Sequence, residues 1–148
     1  VTTLSQRWID QVQTTDAFAK VAWDDEVTVP VTTLDALIAA HGLPAFCKID
    51  VEGFELAVLR GLSHPIPVLS FEVVLAGGAD ALADATACLE WLCEIGEYRF
   101  NWSPGESHRL GLTEWITGGE MADYLAKLPP SANSGDVYAQ IAEKGTLS

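Results

Sequence analysis

Apolar and polar positions change period several times along the chain, and each change marks an element. Leu4, Trp8 and Val12 fall at helical spacing, and a second short helical stretch, Asp16–Lys20, follows the cap-forming Thr15. Val27-Thr28-Val29-Pro30-Val31 reads as a strand, which Pro30 confines to an edge or an end because proline cannot donate to a ladder. Thr32-Thr33-Leu34-Asp35 has capping-box spacing, with Thr32 as the cap and Asp35 reaching back to it. Leu34, Leu37, Ile38 and His41 then share one helical face, and Gly42 stops it. Cys47–Val51 is a short strand that ends in a turn at Glu52-Gly53, and Phe54–Arg60 is a helix stopped by Gly61.

Pro67–Val74 is nearly all apolar, as a strand covered on both faces should be, and Gly77-Gly78 ends it. Ala79–Ile95 is a strong helix with Leu82, Ala85, Leu89 and Leu92 on one stripe, and Gly96 closes it. Tyr98–Trp102 is a strand, Ser103–Glu106 a turn, and Thr117-Gly118-Gly119-Glu120 a second capping box that opens a helix through Met121, Tyr124, Leu125 and Leu128. Pro129-Pro130 closes that helix, and Asp136–Ala139 is the last strand. Strand and helix alternate throughout. The pattern predicts a single α/β domain, with helices on the faces of a largely parallel sheet.

Composition narrows the partners. The 148 residues carry 8 Lys+Arg against 21 Asp+Glu, a net charge of −13, and the basic residues are scattered. Such a surface excludes nucleic-acid phosphate and anionic membranes as partners, since both need a basic face. No apolar run approaches the about 18 residues of a membrane span. Cys47, Cys88 and Cys93 lack a paired-ligand spacing and sit among apolar neighbours, which predicts buried free thiols in a reducing cytoplasm.

Ligands of open α/β sheets collect at the carboxyl ends of the strands, and three polar clusters fall there. In Lys48-Ile49-Asp50-Val51-Glu52-Gly53, alternation puts Lys48 and Asp50 on one face. Glu72 is a carboxylate inside an apolar strand, where burial raises its pKa unless a donor pairs with it. Asn101 to His108 gathers a stacking ring, hydroxyls, a carboxylate and an imidazole in one loop. Plain structural roles compete with chemistry at each: Asp50 and Glu52 as helix caps, Glu72 as the partner of Lys48, Trp102 as core and His108 as surface. No zinc spacing, phosphate loop or nucleophile elbow occurs, and nothing in the spacing warrants a metal.

The run Thr33-Leu34-Asp35, then Lys48-Ile49-Asp50-Val51-Glu52-Gly53, then Val58-Leu59-Arg60-Gly61 resembles the FkbM family of S-adenosylmethionine-dependent methyltransferases. Ser70-Phe71-Glu72 and Tyr98–Glu106 also look like a bacterial branch of it. The resemblance implies a Rossmann-like methyltransferase fold and methyl transfer to a hydroxyl of a glycan or polyketide-like acceptor. It further implies Asp50 and Glu72 as the groups that take the hydroxyl proton, and Lys48, Asp50 and Glu52 beside the cofactor. Asn101, Trp102, Ser103, Glu106 and His108 would line the acceptor.

The sequence departs from the family in one large respect. Its Asp-x-Gly-Ala-Asn-x-Gly loop and the following ribose-binding Glu do not occur here. The expectation is therefore the carboxyl-terminal, acceptor-side half, a half-sheet of strands 4-5-7-6, inactive alone and self-associating through an exposed sheet edge. The rival expectation is a non-catalytic binding or assembly module on the same half-fold, and a small hydrolase using Glu72 with Asp50 is a weaker third.

Overall fold

The computed structural model describes residues 10, 28–75, 78–129, 131–132 and 134–142. The helical patterns at Leu4–Val12 (Asp10 apart) and Asp16–Lys20, together with Gly77 and Pro130, lie outside the described residues. The elements run α1 (Leu34–His41), β1 (Cys47–Ile49), α2 (Glu55–Arg60), β2 (Val68–Val74), α3 (Ala79–Ile95), β3 (Tyr98–Pro104), α4 (Gly118–Ala126) and β4 (Ser134–Ile141). Four strands form one sheet in the order β1-β2-β4-β3.

β1 and β2 are parallel, and β4 lies antiparallel between β2 and β3. Three strands thus point one way and β4 alone is reversed, a departure from the largely parallel sheet that alternation predicts. The cause is the chain after β3. It doubles back along that strand, with Ile116 bridged to Phe100, so α4 must carry it up again. β4 then enters at the carboxyl end of β2, where Ser134 pairs with Val74.

Register gives the sheet two unlike faces, because alternate side chains point opposite ways. One face carries Ile49, Leu69, Phe71, Val73, Phe100, Trp102, Val137 and Ala139, all buried. The helices close over it with Leu59 of α2, Cys88, Leu89 and Leu92 of α3, and Met121 and Leu125 of α4. Each such aromatic or aliphatic side chain taken from water contributes about 1.5–3 kcal/mol. Trp102 fits because Gly135, diagonal to it on β4, has no side chain: a Cβ there would collide with the indole and with the Ser103 carbonyl. The other face is polar, with Lys48, Ser70, Tyr138 and Asn101 in one row. Glu72, Asp136 and Ser103 make the next row, towards the carboxyl ends of β2 and β3.

Local signals hold where caps and glycines set them. α3 spans the predicted residues, and α4 opens with the reciprocal Thr117–Glu120 box. α1 shifts by one position: Thr33, not Thr32, is the cap, and its hydroxyl accepts from the Ala36 amide at 3.1 Å. Asp35 is drawn elsewhere, accepting from the Ser63 amide at 3.0 Å and tying α1 to the loop after α2. The Val27–Val31 strand does not form over its described residues. Residues 28–33 are irregular, and Val29 and Val31 are exposed with no ladder partner. Of the three thiols, Cys88 is buried, Cys47 half-buried and Cys93 exposed, so the expected burial holds fully only for Cys88.

Candidate functional site

β1 stops at Ile49, and the next six residues, Asp50 to Glu55, build the turn of the site. Glu52 and Gly53 both take positive φ, 52° and 90°, which reverses the chain sharply before α2. Only glycine adopts that region freely, and a side-chain-bearing residue held there costs about 1–3 kcal/mol. Glu55 fixes the turn: its Oε1 accepts from the Val51 and Gly53 amides at 3.3 and 3.2 Å. Neither Asp50 nor Glu52 caps α2, which has Phe54 at its N-cap and no side-chain cap, so Asp50 is left for other partners. The signal for Glu55 was present, an acidic residue in the first turn of a helix, but local pattern did not tell it from its neighbours.

The turn brings three carboxylates together. One oxygen from each of Asp50, Glu52 and Glu72 lies within 4.8 Å of the other two. At that spacing each ionised pair costs roughly 1–3.5 kcal/mol, between the screening of water and that of a protein surface. The protein meets this repulsion by holding protons. Burial, followed by the charges of Glu52, Asp50, Glu55 and Asp136, pushes Glu72 up to about 7. Burial and the Asp50 and Glu55 charges also raise Glu52.

Lys48 does not pair with Glu72. Its Nζ lies 3.3 Å from Asp50 Oδ2 and 3.7 Å from Asp136 Oδ2. Burial acts to lower the Lys48 pKa, but the charges of Asp136, Asp50 and Glu106 outweigh it and leave it raised. Asp136, only 5% exposed, is raised by burial against the opposing pull of Lys48. Its other oxygen, Oδ1, and the hydroxyl of fully buried Ser70 have no hydrogen-bond partner among the described residues. Asp136 was read from sequence only as the start of a strand. Its place beside Glu72 depends on β4 entering between β2 and β3, which no local pattern encodes.

The third cluster divides. Glu106 is near enough to act on the charges of Lys48 and Asp136, and it sits 3.8 Å from His108, both side chains being exposed. Ser103 is buried and its hydroxyl lies 3.3 Å from that of Ser107. Asn101 and Trp102 are core residues. Asn101 donates to the Leu112 carbonyl at 2.9 Å and accepts from the Leu112 amide at 3.1 Å, pinning the return segment, while the Trp102 ring is enclosed. Neither presents a surface to an acceptor. Beside the acidic turn, a cavity of about 470 Å³ lies between α2, β2 and α3, lined by Gly53, Glu55, Phe71, Glu72, Ala85 and Cys88. That is within the size range of small-molecule sites.

A family model described as the methyltransferase FkbM domain matches residues 5–127. The chain belongs to the FkbM methyltransferase family. No curated protein and no solved structure gives a significant match. A mixed α/β fold with a four-stranded sheet is consistent with a methyltransferase of this kind, and a methyltransferase activity goes with the family. Among the described residues no helix is long and apolar enough to cross a membrane. The FkbM match covers α1 to α4 and therefore all three carboxylates of the acidic turn.

Proposed function

We propose that the chain is the acceptor-side part of an S-adenosylmethionine-dependent O-methyltransferase that acts on a hydroxyl of a glycan or polyketide-like acceptor. The observation that carries this reading is the convergence of Asp50, Glu52 and Glu72 at the carboxyl ends of two parallel strands. The order β1-β2-β4-β3 with β4 alone reversed supports reading these strands as the fourth, fifth, seventh and sixth of the methyltransferase sheet.

S-adenosylmethionine supplies a methyl group on a cationic sulfur. The acidic turn suits that positive charge and the cofactor's ammonium and hydroxyl groups, and Asp50, Glu52 and Lys48 are the residues for that side. Transfer from sulfur to oxygen requires the hydroxyl to lose its proton as the new carbon–oxygen bond forms. Glu72, with a pKa of about 7, is poised to receive it, and Asp50 stands beside it. Glu106 and His108 are the exposed groups of the neighbouring loop that are left to meet an acceptor.

The test is transfer of a labelled methyl group by the intact enzyme, comparing wild type with Asp50→Asn and Glu72→Gln. Loss of a positioned proton acceptor lowers the rate by about 10²–10⁴-fold. Full transfer by both variants sinks the assignment. Saturable acceptor binding with no transfer in the wild type would favour the non-catalytic module instead.

A further inference from the structure

We infer that Asp50, Glu52 and Glu72 form a binding site for one hard divalent cation of the Mg²⁺, Ca²⁺ or Mn²⁺ class, with Asp136 and Ser70 accepting and ordering its water shell. The donor set is oxygen only. It contains no imidazole and no thiolate, which selects such ions over zinc or copper. Three side-chain oxygens, one from each residue, already lie within 4.8 Å of one another, a grouping that could hold one ion.

Two further atoms point to a ligand at this place. Asp136 is directly opposite Glu72 in the ladder, so both side chains leave the same face of the sheet, and Ser70 is two residues before Glu72 on that face. Asp136 Oδ1 and Ser70 Oγ are buried and have no hydrogen-bond partner among the described residues. Buried polar atoms are nearly always satisfied, and a carboxylate oxygen can be satisfied only by a donor. Water bound to a cation is such a donor, and small divalent ions keep several waters when only a few carboxylates hold them. Lys48 does not fill the role, since its ion pairs run to Oδ2 of Asp50 and Oδ2 of Asp136. Among the described residues no cation pairs with Glu72.

The site stands on geometry and does not depend on methyl transfer. Its bearing on chemistry does rest on the methyltransferase reading: a cation here would make an acceptor hydroxyl that reached it easier to deprotonate. The experiment is isothermal titration of the metal-stripped chain with MnCl₂, MgCl₂ and CaCl₂, without S-adenosylmethionine, alongside Mn²⁺ electron paramagnetic resonance. One saturable site per chain is expected, weakened at least tenfold by Glu72→Gln and by Glu52→Gln. Glu94→Gln removes an exposed carboxylate in the last turn of α3, away from the trio, and should change affinity less than twofold. Thermal unfolding of each variant checks that it is folded, and either of the two trio variants suffices. No saturable binding, or binding unchanged in both trio variants, overturns the site. Either result leaves the methyl-transfer assay free to succeed or fail by itself.

Discussion

Glu72 on β2 and Asp136 on β4 stand directly opposite each other, and the lysine beside them, Lys48, bonds to Asp136 and not to Glu72. Two carboxylates therefore share one sheet face, and among the described residues Lys48 pairs with only one of them. Burial, with the neighbouring carboxylate charges behind it, raises the pKa of both groups, and Lys48 opposes the shift at Asp136.

That relationship makes stability depend on pH in a defined direction. Glu72 titrates near 7 in the folded chain against an ordinary 4.5. Burial first, then the charges of Glu52, Asp50 and Glu55 on the loop and α2 and of Asp136 on β4, act to hold its proton. Between these two values the native state binds a proton that the unfolded chain has released, so this group's contribution falls as pH rises from about 4.5 through about 7. In chelator, Glu72→Gln should gain thermal stability relative to wild type on going from about pH 5 to about pH 8. Melting curves that shift in parallel for the two proteins would show that Glu72 titrates normally.

A second prediction concerns the end of β3. The Tyr98 hydroxyl donates to the Ile66 carbonyl at 2.8 Å and accepts from the Ile66 amide at 2.9 Å, in a fully buried setting. Burial pushes that phenol up to about 12, against the lowering effect of the Ile66 bond. Tyr98→Phe keeps the ring but strands two buried backbone groups, and should cost about 1–3 kcal/mol in urea unfolding. A midpoint equal to wild type would mean that water replaces the hydroxyl.

Much of this architecture could be read from the sequence, for local reasons. α3 and α4 follow from periodicity bounded by Gly96 and by the Thr117–Glu120 box, signals that act within a few residues. The acidic turn followed from Asp50, Glu52 and Gly53 at a strand end. What local pattern missed is what tertiary placement decides. Thr33 replaced Thr32 as the cap because Ser63, distant in sequence, claims Asp35. Asn101 and Trp102 look like loop chemistry, yet β3 continues to Pro104 and takes both into the interior. Asp136 enters the site only through the insertion of β4, whose direction is set by the doubled-back segment after β3.

The outer edge of β1 supplies a third prediction. Among the described residues β1 pairs only with β2, and Phe46, Leu43, Val29 and Val31 are exposed in the segments before it. An unpaired edge and apolar neighbours favour contact with another chain, although β1 is only three residues long and Lys48 lies within it. Sedimentation at micromolar concentration should show self-association. It should be weakened by Phe46→Ser, which removes a ring stacked 6.3 Å from Tyr138 without entering the core. A monomer at every concentration would mean the edge is covered.

The last prediction separates this chain from a complete cofactor site. The sequence holds Lys48, Asp50 and Glu52 but no Asp-x-Gly-Ala-Asn-x-Gly loop, and acidic groups outnumber basic ones around the turn. Carboxylates can meet the cationic sulfur, the ammonium and the ribose hydroxyls of S-adenosylmethionine, but they repel its carboxylate. If the loop and the ribose-binding Glu make two or three charge-assisted hydrogen bonds, each worth about 1.5–3 kcal/mol, their absence costs roughly 3–9 kcal/mol. At about 1.4 kcal/mol per tenfold, a micromolar site becomes millimolar or weaker. Equilibrium dialysis of this chain with labelled S-adenosylmethionine should therefore show no saturation at micromolar concentrations. Micromolar saturation abolished by Asp50→Asn would place the whole cofactor site within these 148 residues and overturn the acceptor-side assignment.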